Sequence, residues 1–127
     1  MPRQYPTADG GKATEFYIDP PKARAAFAGD LSDQQAALIA ATQRPISELA
    51  FSEANGPPAW KHLPSWAVVA TGDKAAGTDV VRSMAERAGA KITEIEGSHV
   101  IMVSQPQAVT EVIVEAVAAV ASVPVEA

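Results

Sequence analysis

Between residues 65 and 106 the order of apolar and polar positions predicts a strand, a helix and a second strand. Residues 66–70 are continuously apolar and rich in valine, which is typical of a strand covered on both faces. Over residues 78–88 the apolar positions recur on one helical face, and Gly89 suits the left-handed end of that helix. Residues 91–96 mix β-branched and charged side chains, as edge strands often do. The pattern therefore predicts a parallel βαβ unit with a right-handed crossover.

The carboxyl-terminal part of the chain predicts one more helix. Apolar residues at positions 109–120 recur with the i, i+3, i+4, i+7 spacing of a helix that lays one stripe on a sheet. We expect this helix to begin near Pro106 and to end at Pro124. Residues 65–123 would then form a βαβα unit, and residues 124–127 a short tail.

The amino-terminal half predicts short helices rather than strands. Ser32 and Gln35 have the spacing of a capping box, and Asp19 precedes two prolines that suit the first turn of a helix. Residues 1–15 are rich in proline and glycine and poor in apolar side chains, so we predict a flexible lead-in. The predicted helices of the following segment, residues 16–64, cover residues 20–28, 33–42 and 46–52.

Two residues with catalytic potential follow the two predicted parallel strands. Asp73 comes after the first strand and His99 after the second, so both loops open at the edge where α/β sheets bind ligands. A histidine can carry a proton at working pH while a carboxylate orients it. Asp73 also suits a plain turn, and His99 a loop without a partner. Asp79, Glu94 and Glu96 compete for the acid role, although Asp79 is better placed as a helix cap and both glutamates belong to a strand.

Three motifs in this region carry a family resemblance. They are A-T-x-D after the first strand, M-A-E-R-A-G-A at the end of the helix, and G-S-H-V-x-M-V-S-Q-P after the second strand. Together they resemble the carboxyl-terminal half of an α/β-hydrolase, in particular a small bacterial esterase-like branch, over roughly residues 16–121. The resemblance implies a partial α/β-hydrolase fold, with Asp73 as the acid and His99 as the base of a Ser-Asp-His triad.

The same resemblance implies a role for the helical segment at residues 16–64. It is similar in position to the lid that covers the active site in α/β-hydrolases. Lids of this kind provide an apolar roof over a small-molecule substrate, here an ester or acyl compound. The alternative is that its apolar side chains only hold the helices on the sheet. The candidates for lining the roof are Phe27, Leu38, Ile39, Phe51 and Trp60.

The sequence contains no nucleophile in the expected context. Enzymes of this fold carry a serine in a G-x-S-x-G turn, and that motif does not occur in these residues. Ser98 adjoins His99, and neighbouring side chains in extended backbone point apart, so it is a poor substitute. Ser104 suits a helix cap. We therefore expect the chain to be inactive alone, either because its reading frame is truncated or because a complementing amino-terminal hydrolase segment supplies the serine.

Composition and charge exclude several other classes of function. The chain of 127 residues is 47% hydrophobic and 20% charged, as expected for one soluble domain. A net charge of -5 disfavours nucleic-acid and anionic-membrane partners. The absence of cysteine, with His62 predicted to lie at the surface, leaves no recognisable metal-ligand set, and no glycine-rich dinucleotide motif follows either strand. We predict no cofactor. The amino terminus does not predict a secretion signal, so we expect a cytoplasmic location.

The apolar strand at residues 66–70 raises a second functional hypothesis. A strand that is apolar on both faces suits the interior of a sheet, yet the sequence offers it one evident parallel neighbour. The other edge would remain open to pairing with a second copy of the chain or with a separate partner. The chain would then be a non-catalytic interaction module.

Overall fold

The computed structural model describes residues 1–121. Within these residues it shows an α/β arrangement of two small sheets and six α-helices. The predicted helix end at Pro124 and the predicted tail at residues 124–127 lie outside the described residues. The strands are β1 (Pro2–Pro6), β2 (Lys12–Phe16), β3 (Ile46–Ser47), β4 (Trp66–Ala70) and β5 (Lys91–Ile95). The helices are α1 (Pro20–Phe27), α2 (Asp33–Thr42), α3 (Leu49–Ser52), α4 (Thr78–Arg87), α5 (Ile101–Ser104) and α6 (Pro106–Ala121), with a 3₁₀ turn at Ala59–Lys61.

The predicted βαβ unit is confirmed. Strands β4 and β5 pair in parallel, in a register that sets Trp66 opposite Lys91 and Ala70 opposite Ile95. Helix α4 connects them and packs on β4, as does α6. Val69, the fourth residue of β4, is 0% exposed, as expected for a strand that is covered by helices. Gly89, with φ of +63°, follows α4 in the predicted left-handed conformation.

Helices α1 and α2 form a pair whose buried face touches the loop after β5. The capping box predicted for α2 is present: the Ser32 hydroxyl accepts from the Gln35 amide, and the Gln35 side chain accepts from the Ser32 amide. Prolines occupy the first positions of α1, although Asp19 makes no side-chain cap bond there. The apolar residues that hold the pair together are Ala28, Leu31, Ala36 and Val100, with Phe27 and Ile39 against them.

The flexible lead-in predicted for residues 1–15 is wrong. Strands β1 and β2 form an antiparallel hairpin, in which Arg3 faces Glu15 and the Gln4 amide donates to the Thr14 hydroxyl at 2.9 Å. The turn places Gly10 at φ of +82°, which a side chain would oppose. Because the hairpin is held by cross-strand pairs rather than by a continuous apolar face, the hydrophobic pattern gave little sign of it.

Two predicted helices also differ from the observed elements. Residues 46–52 divide into β3, which extends the hairpin sheet by pairing Ile46 with Phe16, and the single-turn helix α3. At the carboxyl-terminal end, α5 precedes α6, and Ser104 closes α5 instead of capping the longer helix. Its hydroxyl donates to Asp30, so a tertiary contact replaces the local cap.

The far edge of β4 carries no partner strand within residues 1–121. Several apolar side chains on the adjoining α6 are exposed to solvent. The most exposed of these are Ile113, Val114 and Val117. Over the same residues, no helix is both long and apolar enough to cross a bilayer.

Candidate active site

Asp73 lies in the loop that follows β4, and its carboxylate is held by the backbone of that loop. Its Oδ1 accepts from the amides of Ala75 at 2.8 Å and Ala76 at 3.0 Å. Farther along the loop, the Thr78 hydroxyl donates to the Ala70 carbonyl at 2.8 Å, which ties the start of α4 to the end of β4. The loop therefore fixes one carboxylate oxygen and leaves Oδ2 for another partner.

That partner is His99, from the loop after β5. The Nδ1 atom of His99 lies 2.8 Å from Asp73 Oδ2. The Asp73 side chain is 7% exposed, while the His99 side chain is 35% exposed. The structure thus brings together the two residues singled out from the sequence, with the carboxylate buried behind the ring and the ring open to solvent.

The electrostatics of the pair indicate which atom carries the shared proton. Burial raises the pKa of Asp73, but the hydrogen bonds from His99, Ala76 and Ala75 outweigh it and hold the pKa below its ordinary value. Asp73 is therefore ionised at neutral pH and can only accept, so the proton lies on His99 Nδ1. In the neutral ring Nε2 is then an acceptor, the atom that a general base uses.

Two glycines lie where the Asp73 and His99 loops meet. The amide of Gly72 donates to the Gly97 carbonyl at 2.9 Å, which continues the β4–β5 pairing into the loops. A Cβ atom at position 72 would lie 2.8 Å from that same carbonyl oxygen. At Gly97 a Cβ would lie 2.0 Å from the Ile101 side chain. The approach of the two loops thus depends on the absence of a side chain at position 72, whereas Gly97 leaves room for the Ile101 side chain.

The His99 loop is also bonded to the α1–α2 connection through Asp30, which the sequence analysis did not single out. Asp30 Oδ2 accepts from the Ser98 amide at 2.9 Å and from the Ser104 hydroxyl at 2.6 Å, and Oδ1 accepts from the Ser98 hydroxyl. Burial raises the pKa of Asp30, but the bonds from Ser104 and Ser98 outweigh it and lower the pKa. An aspartate between two helices looks like an ordinary turn residue, and its partners lie about 70 positions away.

A mainly apolar cavity of about 580 Å³ lies between the hairpin sheet and the α1–α2 pair. Phe27 links this cavity to the candidate site, because it lines the cavity and its ring centroid lies 4.6 Å from that of His99. Of the predicted roof residues, Ile39 and Phe51 also line the cavity, whereas Leu38 and Trp60 do not. The site therefore adjoins a space suited to an apolar group.

The other acidic candidates and His62 either form ion pairs elsewhere or are exposed. Asp79 and Glu94 both form ion pairs with Arg82, at 2.5 Å and 2.6 Å, so neither is directed to His99. Glu96 and His62 are exposed. Within residues 1–121 no group of three or more potential metal ligands comes together.

Comparison with known proteins identifies the family. The sequence model described as "Alpha/beta hydrolase family" matches residues 1–112. The crystal structure of polyneuridine aldehyde esterase is similar in fold, with a TM-score of 0.76 and 19% sequence identity over 91% of this chain and 47% of that chain. The chain thus spans about half the length of that esterase. No curated protein gives a significant match. Because the family model covers most of the sequence, the chain belongs to the α/β-hydrolase family.

Proposed function

We propose that this chain carries the acid and the base of a Ser-Asp-His triad that hydrolyses small esters or related acyl compounds. The observation that supports it is the bond between His99 Nδ1 and Asp73 Oδ2, which leaves Nε2 as the acceptor of a ring that contacts Phe27, a residue of the apolar cavity. The attacking serine belongs to a segment outside this sequence, since no G-x-S-x-G motif occurs in it. The chain alone is inactive under this proposal.

The chemistry assigns a separate role to each residue. When the serine oxygen attacks the ester carbonyl, His99 Nε2 takes the hydroxyl proton, and Asp73 stabilises the resulting imidazolium. His99 then returns this proton to the departing alcohol as the acyl-enzyme forms. A water molecule attacks the acyl group with the same base, and its proton passes through His99 to the released serine. Asp73 keeps its charge throughout.

The cavity lined by Phe27 is proposed to bind the apolar part of the substrate. Its walls come from β2, α1, α2 and the β3–α3 region, so residues 16–51 would act as the lid. Phe51 and Ile46 line the cavity and are also largely exposed, which leaves one side open to solvent or to the segment that carries the serine. The substrate class is a small ester with an apolar acyl or alcohol group.

Hydrolysis of nitrophenyl acetate tests this proposal in two steps. The purified chain should release nitrophenol no faster than free imidazole at the same concentration, because the serine and the oxyanion donors are absent. After addition of the serine-bearing half of an α/β-hydrolase, as a separate or fused polypeptide, turnover should appear. His99→Ala and Asp73→Asn should then each lower kcat by on the order of 10⁴-fold.

Matched variants separate the proposed roles from unspecific effects. His62→Ala removes the other imidazole, which is exposed, and Asp79→Asn removes a carboxylate near the same loop. Neither should change turnover by more than about twofold. Hydrolysis by the purified chain that exceeds the rate of free imidazole at the same concentration and disappears in His99→Ala would contradict the absence of a serine nucleophile. Full turnover by the assembled enzyme without His99 would contradict the assignment of the base.

The unpaired edge of β4 favours a second candidate function. Together with the exposed apolar residues of α6, this edge suits a non-catalytic module that assembles by strand pairing. Solution mass and turnover distinguish the two candidates. A discrete dimer that stays inactive with a serine-bearing segment favours the module, whereas a monomer that gains activity favours the hydrolase.

A further inference from the structure

We propose that Asp30 is a positioning residue, which fixes the loop that carries His99 to the α1–α2 pair and thereby holds the imidazole against Asp73. This inference rests on the proposed function, because it concerns the alignment of the same base. It adds to the acid and the base a second carboxylate, whose hydrogen bonds come from Ser98 and Ser104 and not from the ring. Asp30 acts through the backbone and side chain of Ser98, the residue immediately before His99.

The hydrogen bonds of Asp30 carry the proposal. Both carboxylate oxygens are engaged, and the three donors are the Ser98 amide, the Ser98 hydroxyl and the Ser104 hydroxyl. Ser98 precedes His99, and Ser104 ends the helix α5 that follows it. The Asp30 carboxylate therefore binds the chain both before His99, at Ser98, and after it, at Ser104. Because all three donors are neutral and the acceptor is charged, these bonds are stronger than ordinary ones.

Burial supports the same conclusion. Ser98 is 6% exposed, so its hydroxyl depends on Asp30 in place of water. On the other side of His99, Val100 is buried in the cluster that also contains Ala28 and Leu31, which flank the Gly29–Asp30 turn. The histidine is thus bracketed by two residues that are fixed to the α1–α2 pair. Its orientation depends on that pair as well as on Asp73.

The backbone at Gly97 shows how closely the His99 loop approaches Asp30, in the connection between α1 and α2. A Cβ atom at this position would lie 2.8 Å from Asp30 Oδ2. The carboxylate therefore lies directly against the backbone of the loop, with no room for an intervening side chain. If the α1–α2 pair moved as a lid, the His99 loop would have to move with it or lose these bonds.

The tautomer of His99 reports its position without any need for turnover. In the ¹⁵N-labelled chain, long-range proton–nitrogen spectra distinguish Nδ1–H from Nε2–H, and His62 is the other of the two histidines and an exposed reference. The wild-type chain should show His99 as Nδ1–H at a pH at which the ring is uncharged. Asp30→Ala should lose this tautomer preference, so that the signals of His99 approach those of His62. Asp33→Ala removes a nearby exposed carboxylate and should leave them unchanged.

A second variant keeps the test decisive if Asp30→Ala does not fold. The Ser98→Ala, Ser104→Ala double variant removes the two hydroxyl donors to Asp30 without a change of charge. It should cause the same loss of the His99 tautomer preference. Retention of the wild-type tautomer in every folded variant would overturn the proposal, as would an equal loss in Asp33→Ala. Failure of the proposed function gives a different result. In that case the wild-type His99 would lack the Nδ1–H tautomer, or its tautomer would not change in Asp73→Asn.

Discussion

At the scale of single residues, the candidate site depends on positions that have no side chain as much as on those that do. Gly72 lets the backbones after β4 and β5 continue their pairing past the ends of the strands, and Gly97 leaves room for the Ile101 side chain. This contact places Asp73 and His99 one residue and two residues beyond it. The backbone therefore sets the distance between Asp73 and His99. The Asp73 carboxylate then only has to orient the imidazole ring.

Gly72→Ala is expected to lower the free energy of unfolding by about 1–3 kcal/mol, as overpacking does. The added Cβ would lie 2.8 Å from the Gly97 carbonyl oxygen, and a backbone atom cannot move aside as a flexible side chain can. Urea denaturation measures the loss. Gly56→Ala is the matched control, since a Cβ there meets nothing within 4 Å, and it should change stability by less than about 0.5 kcal/mol. Equal stability of the two variants would contradict the close approach.

The strand pattern placed Asp73 and His99 at one edge of the sheet, because each follows a predicted parallel strand, and the family resemblance assigned them the roles of acid and base. Neither was sufficient for Asp30. The partners of Asp30 lie beyond the whole βαβ unit, and Ser98 and Ser104 each have a simpler local interpretation. Contacts of this length depend on how the α1–α2 pair docks, which the local pattern does not encode.

At the scale of elements, helices with local signals were predictable and the hairpin was not. The α2 capping box needs two side chains three residues apart, so the sequence displays it directly. Strand β1 contains two prolines, both β1 and β2 carry charged residues, and the two strands pair along their whole length. Asp9-Gly10, at the turn, was the signal available for this hairpin. A sheet without a continuous apolar face therefore needs turn chemistry for its prediction.

Ser32→Ala is expected to destabilise the chain by about 1 kcal/mol, because it leaves the Gln35 amide at the start of α2 without its acceptor. Thermal or urea unfolding followed by circular dichroism measures this change. Ser83→Ala provides the comparison, since Ser83 is an exposed residue in the interior of α4, where alanine favours the helix. A loss in Ser83→Ala as large as that in Ser32→Ala would contradict the role of the cap.

At the scale of the whole molecule, the described residues combine a parallel pair of strands with a separate three-stranded sheet, and the α1–α2 pair touches the histidine loop. Within residues 1–121 one edge of β4 has no partner strand, and the chain covers 47% of the esterase it resembles in fold. Family membership and the site geometry support the function proposed above. Under that proposal the acid and the base are preassembled in this chain, and the serine has to be brought to the exposed side of the ring.

The central claim is that Asp73 and His99 form a bonded pair with the proton on Nδ1. The most direct test is the imidazole ¹⁵N spectrum of the folded chain at a pH at which the ring is uncharged, recorded for the wild type, Asp73→Asn and the control Asp79→Asn. The account predicts Nδ1–H for His99 in the wild type and in Asp79→Asn, and loss of that tautomer in Asp73→Asn. A wild-type His99 with the same tautomer mixture as the exposed His62, or one unaffected by Asp73→Asn, would contradict it.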